Sequence, residues 1–76
     1  MEDKTISSNV EVKDVIKAGD VALDYLSKQG IVVFRNEINS IFKKSVAWFV
    51  MVESVRFTGV IIIKSTTGKV LTMVKF

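Results

Sequence analysis

Residues 59–76 read GVIIIKSTTGKVLTMVKF, two apolar runs separated by the polar stretch KSTTGK. The first run is rich in β-branched residues, which favour strands. Gly68 lies where the chain must reverse, and glycine readily takes the positive φ that many hairpin loops require. Residues 69–76 then fit a returning strand. Its two faces would carry Val70, Thr72, Val74 and Phe76 on one side and Leu71, Met73 and Lys75 on the other. The stretch therefore predicts that the chain ends in a β-hairpin.

A second β-rich segment, SVAWFVMVES, occupies residues 45–54. Successive side chains of a strand point to opposite faces of its sheet. One parity carries Trp48, Val50 and Val52, and the other carries Ala47, Phe49 and Met51. Both faces of this strand are therefore apolar, and a turn near residues 56–59 connects it to the C-terminal hairpin.

The N-terminal part of the chain carries the signals of one helix. Ser8 lies three residues before Glu11, a capping-box spacing in which each side chain accepts a hydrogen bond from the other residue's backbone N–H. Gly30 supplies a left-handed stop. Gly19 lowers the helix propensity by about 1 kcal/mol relative to Ala, which predicts that a strand packs closely against it. One apolar stripe follows three- and four-residue intervals: Val12, Val15, Ile16, Gly19, Ala22, Leu23 and Leu26.

The segment IVVFRNEINSIFKK, residues 31–44, fits two structures. Its apolar residues alternate as a strand requires. A short helix behind an Asn36 cap also fits, so strand and short helix stay open for residues 36–45. We predict a strand that begins at Ile31 and is bulged or broken around residues 36–40.

The element order α-β-β-β-β predicts an α+β protein in which one N-terminal helix packs on a three- to four-stranded antiparallel meander sheet. We predict a disordered tail over residues 1–7 and a single domain over residues 8–76. A domain of this size buries only about 60% of its unfolded surface. Because the 76 residues include no Cys and no His, disulfides and zinc cannot staple the fold, and packing or association must stabilise it.

The residue types present exclude several kinds of chemistry. Without Cys or His the chain cannot build a thiolate nucleophile, an imidazole base or a His/Cys metal site. Asp20 and Asp24 lie one helical turn apart, but carboxylates interleaved with Lys are typical of surface ion pairs. The stretch KSTTGK lacks the strand-to-helix context of a phosphate-binding loop, because strands flank it. We therefore predict no enzymatic activity, no catalytic residue, no cofactor and no metal.

The net charge is +3, from 11 Lys and Arg against 8 Asp and Glu, and the basic residues concentrate in the C-terminal half. Such an asymmetry can attract an anionic partner. The candidate basic patch consists of Arg35, Lys43, Lys44, Arg56, Lys64 and Lys69. Lysines at strand ends also protect sheet edges from aggregation, so nucleic-acid binding is the alternative reading and a solvated sheet rim is the first.

Two features bear on location. The longest uninterrupted apolar run is VAWFVMV, residues 46–52, whereas a spanning helix needs about 20 apolar residues. The first nine residues, MEDKTISSN, are polar and begin acidic, unlike a signal peptide. We predict that the chain has no membrane span and is cytoplasmic.

One helix can cover only one face of a four-stranded sheet, and the other face of such sheets is ordinarily polar. Here the strands carry large apolar residues on both parities, which predicts an exposed apolar patch and hence association. A two-fold homodimer through the open sheet face is the first reading, another protein partner is the second, and a curled sheet that hides both faces is the third. The predicted interface consists of Phe49, Met51, Ile61, Ile63, Leu71 and Met73.

The stretch IIIKSTTGKVL resembles the last hairpin of PepSY-type domains, whose turn is typically written Asp-x-x-Thr-Gly-x-Val. Thr67, Gly68 and Val70 match that pattern, whereas Lys64 stands where the pattern often has Asp. The segments DVALDYLSKQG and AWFVMVES resemble the helix and the central strand of the same family, so the resemblance covers most of residues 12–76. It implies a cystatin-like α+β module without catalytic residues, in a group proposed to bind or restrain other proteins, often peptidases, and usually outside the cytoplasm.

A second resemblance rests on Trp48, Val50, Val52 and Glu53, which follow the Trp-x-Val-x-Val-Glu pattern of a small family of gas-vesicle accessory proteins. The arginine-rich end of that family is missing here. This resemblance also implies a non-catalytic interaction protein. The sequence as a whole therefore predicts a small protein-interaction module that associates with itself through an apolar sheet face.

Overall fold

The structure is a computed structural model, and it describes residues 11–76. One helix, α1 (Val15–Lys28), packs on an antiparallel sheet of four strands in the order β1-β2-β3-β4. The strands are β1 (Ile38–Lys44), β2 (Ala47–Glu53), β3 (Thr58–Lys64) and β4 (Val70–Lys75), and a short 3-10 helix (Arg35–Glu37) precedes β1. The predicted α+β fold, a helix followed by an antiparallel meander, is confirmed. The predicted tail over residues 1–7 lies outside the described residues.

The helix begins later than the sequence predicts. Asp14 caps it, because the Lys17 N–H donates to Asp14 Oδ1 over 2.8 Å. Glu11 precedes the helix, and its expected partner Ser8 lies outside the described residues. The reason is that the sheet binds Val12, whose N–H donates to the carbonyl of Ser65 over 2.7 Å.

Trp48 of β2 makes a second hydrogen bond to Val12. Its indole N–H donates to the carbonyl of Val12 over 2.9 Å, and both residues are buried. The two bonds attach Val12, three residues before the first residue of α1, to β2 and to the β3–β4 connection. Trp48 therefore lies in the core, where its indole N–H has a hydrogen-bond partner.

The buried stripe of α1 is narrower than the predicted one. Ala18, Gly19, Ala22 and Leu26 are buried, whereas Val15 and Ile16 are 48% and 66% exposed. Val15 lies on the buried side but lines a cavity of about 330 Å³ with Ile38 and Ile41 of β1. Ile16 falls outside the stripe at 3.6 residues per turn.

The expectation that a strand packs closely against Gly19 is confirmed. A Cβ atom at Gly19 would lie 3.3 Å from Ile41 Cδ1 and 3.6 Å from Ile38 Cδ1, both on β1. The Arg35 guanidinium also lies over this position and forms an ion pair with Asp20. Glycine thus lets the helix and the edge of the sheet approach each other.

The segment before β1 differs from the prediction. The strand begins at Ile38 and not at Ile31, because residues 31–34 lead from the helix end to the sheet edge without pairing. The Phe34 N–H donates to Glu37 Oε1 over 2.9 Å and starts the short 3-10 helix. The predicted bulge is confirmed, since the register of β1 shifts between Ile38 and Ser40.

The stretch KSTTGK forms the predicted hairpin connection. The Lys64 N–H donates to the carbonyl of Lys69, and the Gly68 N–H donates to the carbonyl of Lys64, both over 2.8 Å. Gly68 has φ +75°, and the Lys69 N–H donates to Thr67 Oγ1 over 3.2 Å. These bonds account for the residue types of the turn without a ligand.

The connection from β2 to β3 contains a core residue that the sequence analysis missed. Phe57 is buried, and its ring lies over Gly59, where a Cβ atom would be 2.8 Å from Phe57 Cζ. The Ser54 N–H donates to the carbonyl of Phe57 over 2.9 Å and closes this connection.

No helix in the described part of the chain is long and apolar enough to cross a membrane.

Candidate functional site: the open face of the sheet

The two faces of the sheet are in different surroundings. One face lies under α1, and its residues Val50, Ile61 and Ile63 are 0% exposed. We call this the covered face. Within residues 11–76 no helix lies over the opposite face, although the strands carry apolar side chains there as well.

We call this opposite face the open face and define it by six apolar side chains: Phe42, Phe49, Met51, Val60, Ile62 and Val74. Strand pairing arranges them in two adjacent rows. In the first row Phe42 pairs with Phe49, and Phe49 pairs with Ile62. In the second row Met51 pairs with Val60, and Val60 pairs with Val74. The open face is therefore contiguous across all four strands.

Exposure varies across the open face. Phe42 and Val74, on the two edge strands, are 45% and 43% exposed. Phe49, Met51 and Ile62 are half-buried, and Val60 is only 7% exposed between Met51 and Val74. The centre of the face thus presents packed apolar side chains, and its edges present the most accessible ones.

Two aromatic rings give the open face its most defined geometry. The rings of Phe42 and Phe49 are stacked, with centroids 5.2 Å apart and an angle of 4° between their planes. Neighbouring strands lie about 4.8 Å apart, so rings stacked across them stand upright on the sheet. Each ring therefore covers one face of the other and offers mainly its edge to a molecule above the sheet.

Charged side chains lie at the two ends of the open face. At one end Lys44 and Lys64 both pair with Ala47, and Lys69 lies beside Lys64 through the backbone hydrogen bond of the hairpin. All three lysines are exposed. This end of the face is basic.

The opposite end carries an acidic side chain. Glu53 is exposed and shares the parity of Phe49 and Met51 on β2, so it belongs to the same face of the sheet. It pairs with Thr58, whose carbonyl accepts a hydrogen bond from the Phe76 N–H over 2.8 Å. The open face is therefore basic at one end, apolar in the middle and acidic at the other end.

The structure brings together only part of the predicted interface. Phe49 and Met51 lie on the open face. Ile61 and Ile63 lie on the covered face and are fully buried, so their predicted place on the same face as Phe49 is wrong. Met73 pairs with Ile61 and packs against the core, so its placement is wrong too.

Leu71 does not belong to either row of the open face. The register of β4 shifts at this point, since Ile62 pairs with Thr72 whereas Ile63 pairs with Val70. Leu71 is the extra residue between these pairs and is 53% exposed. The irregularity is why alternation counted along β4 fails to assign its residues to faces.

The wrong placements of Ile61 and Ile63 have one physical cause, the register between β2 and β3. Odd-numbered residues of β2 pair with even-numbered residues of β3, as in Phe49 with Ile62. The four-residue connection over residues 54–57, which joins the paired Glu53 and Thr58, sets this register. A shift of one residue moves every side chain of a strand to the other face. The length of this connection is therefore the signal that could have identified Val60 and Ile62.

The predicted basic patch is also only partly assembled. Lys44, Lys64 and Lys69 gather at the basic end, and Lys43 points to the other side of β1, where it pairs with Trp48. The two arginines lie elsewhere. Arg35 forms its ion pair with Asp20, and Arg56 lies in the β2–β3 connection, at the same end of the sheet as Glu53.

Acidic side chains do not form a metal site in the described part of the chain. Residues 11–76 contain no group of three or more acidic side chains that could hold a metal ion. Asp24 lies 3.0 Å from Lys28 Nζ, one turn further along α1, which is the surface pairing that the sequence indicates. The carboxylate of Asp20 forms an ion pair with Arg35.

Comparisons with protein-family models, with curated proteins and with solved structures found no match. The resemblances to PepSY-type domains and to gas-vesicle accessory proteins therefore stay predictions. The geometry of the open face is the basis on which function can be argued.

Proposed function

We propose that this protein is a non-catalytic interaction module that associates with itself through the open face. The observation that carries the proposal is the contiguous apolar surface formed by Phe42, Phe49, Met51 and their neighbours on β3 and β4. Antiparallel sheets that are covered on one side ordinarily turn polar residues to water on the other. An apolar face without a covering layer favours association, because removing it from water contributes roughly 25 cal/mol per Å².

The size of the chain supports the same proposal. A domain of 76 residues has a small core, and this chain has no disulfide to reinforce it. Burying a second apolar layer against another copy would add stability that one helix cannot supply. The resemblance of residues 61–71 to PepSY-type domains, a group proposed to bind or restrain other proteins, agrees with a binding role.

Sedimentation equilibrium or light scattering over a concentration series tests the proposal. We expect the mass to rise towards twice the 8.5 kDa of the chain as the concentration increases. Ile62→Lys places a charge at the centre of the open face and should leave the protein monomeric at concentrations where the unmodified chain is dimeric. The expected loss of affinity is at least about tenfold, because a buried unpaired charge costs far more than an exposed one.

Ile16→Lys is the matched control. Ile16 is 66% exposed on α1 and does not belong to the open face, so the same change of charge and residue type there should leave association intact. Circular dichroism would verify that both variants keep the fold. A mass of 8.5 kDa at all concentrations, or equal effects of the two variants, would contradict the proposal.

Nucleic-acid binding is the second candidate, and one observation favours it. Lys44, Lys64 and Lys69 lie beside the aromatic pair Phe42 and Phe49, and proteins that bind single strands combine basic residues with aromatic ones. The stacking of the rings disfavours it, because each ring covers one face of the other and the pair leaves mainly the outer face of Phe42, on the edge strand, for a base.

A binding titration with labelled single-stranded DNA and RNA separates the two functions. Nucleic-acid binding through three lysines would weaken steeply between low and moderate salt, since bound counterions are released. Self-association through apolar side chains should change little over the same range. Binding that is lost on raising the salt, with a monomeric protein throughout, would favour the second candidate over the first.

A further inference from the structure

We propose that two copies of this chain pack open face to open face in one orientation, with the two-fold axis perpendicular to the strands. In this arrangement Glu53 of each copy lies over Lys44 and Lys64 of the other. The inference rests on the proposed function and adds to it the orientation of the two copies.

Symmetry restricts how two sheets can meet face to face. A closed dimer of identical chains has a two-fold axis, and for facing sheets that axis lies in the plane between them. Aligned sheets keep their strand directions within about 30° of each other, so the axis runs either along the strands or across them. An axis along the strands brings each end of the face against the same end of the other copy. An axis across the strands brings opposite ends together.

The charges distinguish these two orientations. With the axis along the strands, the basic end with Lys44, Lys64 and Lys69 would face the same lysines of the other copy, and Glu53 would face Glu53. Like charges placed opposite each other at an interface disfavour that pairing strongly. With the axis across the strands, Glu53 of each copy meets the lysines of the other copy, and Arg56 lies beside it in the β2–β3 connection, off the strands. Ala47 and Glu53 mark the two ends and are six residues apart on β2, about 20 Å, which keeps the two charged contacts separate.

The apolar centre fits the same orientation. The axis passes between the row of Phe49 and the row of Met51, so each row meets the other row of the second copy. Each strand lies over the same strand of the other copy, so the ring of Phe49 packs against Met51 and Ile62 packs against Val60. Methionine sulfur packs favourably at the edges of aromatic rings, and these upright rings present their edges outwards.

The area of the face predicts a weak dimer. Four strands about 4.8 Å apart and about seven residues long give a face of roughly 450 Å², so two copies bury about 900 Å² in total. This value lies slightly above the ~800 Å² of most crystal contacts and below the ~1,200 Å² of standard interfaces. An interface of this size is typical of weak, transient association, in which charged contacts should alter the dimer population measurably.

A charge-reversal experiment tests the orientation. Glu53→Lys makes both ends of the face basic, and Lys44→Glu combined with Lys64→Glu makes both ends acidic. Each variant alone should dimerise about tenfold more weakly than the unmodified chain, because both symmetric contacts become repulsive. An equimolar mixture of the two variants should recover association as a heterodimer, since each basic end can then meet an acidic end. Sedimentation velocity with one variant fluorescently labelled reads out both results.

Asp24→Lys is the control for net charge. It changes the charge by the same amount as Glu53→Lys but lies on α1, away from the open face, so dimerisation should not change. If Ile62→Lys abolishes the dimer while the charge reversals have no effect and the mixture gains nothing, the orientation is overturned and the proposed function stands. If the unmodified chain stays monomeric, both are overturned.

Discussion

The two faces of one sheet differ in coverage although their residue types are similar. Ile61 and Ile62 are neighbours on β3, with the same side chain and the same strand geometry. Ile61 lies under α1 and is 0% exposed, whereas Ile62 lies on the open face and is half-buried. Apolar alternation along a strand therefore does not by itself distinguish residues that stabilise the fold from residues that are available for binding.

The covered face has a second layer because α1 approaches it closely. The small residues Ala18, Gly19 and Ala22 let the helix descend onto Ile41 and the central strands. On the open face, Phe42 stacks on Phe49 but has no layer above it, and it is 45% exposed. The covered face thus contributes stability, and we propose that the open face contributes affinity.

The largest expected effect compares the two neighbouring isoleucines directly. Ile61→Ala leaves a cavity in the core and should lower the free energy of unfolding by about 3–4 kcal/mol. Ile62→Ala removes a half-buried side chain and should cost about 1 kcal/mol. Urea denaturation followed by circular dichroism, at the lowest practical protein concentration so that association contributes least, measures both. Equal losses of unfolding free energy in the two variants would mean that the two faces contribute alike to stability, contrary to this prediction.

A smaller effect is expected at Gly59, where the covered face meets the edge strand β4. A Cβ atom there would lie 2.1 Å from the carbonyl oxygen of Val74 and 2.8 Å from the ring of Phe57. Gly59→Ala must therefore displace backbone atoms, and we expect a loss of about 2–3 kcal/mol in the free energy of unfolding. Gly30→Ala is the control for space, since nothing lies within 4 Å of its added Cβ atom.

Gly30 has φ +82°, so its replacement should cost only the backbone strain of about 1 kcal/mol. The two glycine variants separate steric crowding from backbone conformation. A Gly59→Ala variant as stable as the unmodified protein would mean that β3 and β4 are not held as closely as described.

The smallest effect concerns the start of the helix that creates the difference between the faces. Asp14→Ala removes the oxygen that accepts the Lys17 N–H over 2.8 Å and should lower the free energy of unfolding by about 1 kcal/mol. Asp14→Ser retains a capping oxygen and should recover most of that loss. Thermal denaturation of the three proteins measures the difference, and a loss that Ser does not recover would assign another role to Asp14.

The sequence predicts the elements of this fold well where a local signal exists. The C-terminal hairpin follows from Gly68 and its flanking β-branched runs, and the bulge in β1 follows from the mixed periodicity of residues 36–40. The helix start is mispredicted because the Ser8–Glu11 spacing is a local signal, whereas Val12 is bound by Ser65, a residue far along the chain. A long-range hydrogen bond leaves no local pattern to detect.

The candidate site shows the same division. Alternation along β2 separates Phe49 and Met51 from Trp48 and Val50, and that assignment is confirmed. Alternation cannot say whether Ile61 or Ile62 lies beside Phe49, because that depends on the connection between β2 and β3.

Local signals in the sequence specify the α+β class, the antiparallel meander and the presence of apolar side chains on both faces of β2. They consist of residue propensity and the two-residue period of a strand, which neighbouring residues carry. Which residues of β3 and β4 share a face with Phe49 follows only from the folded chain, because strand register is a relation between distant segments. The four-residue connection after Glu53 and the irregularity at Leu71 set that register.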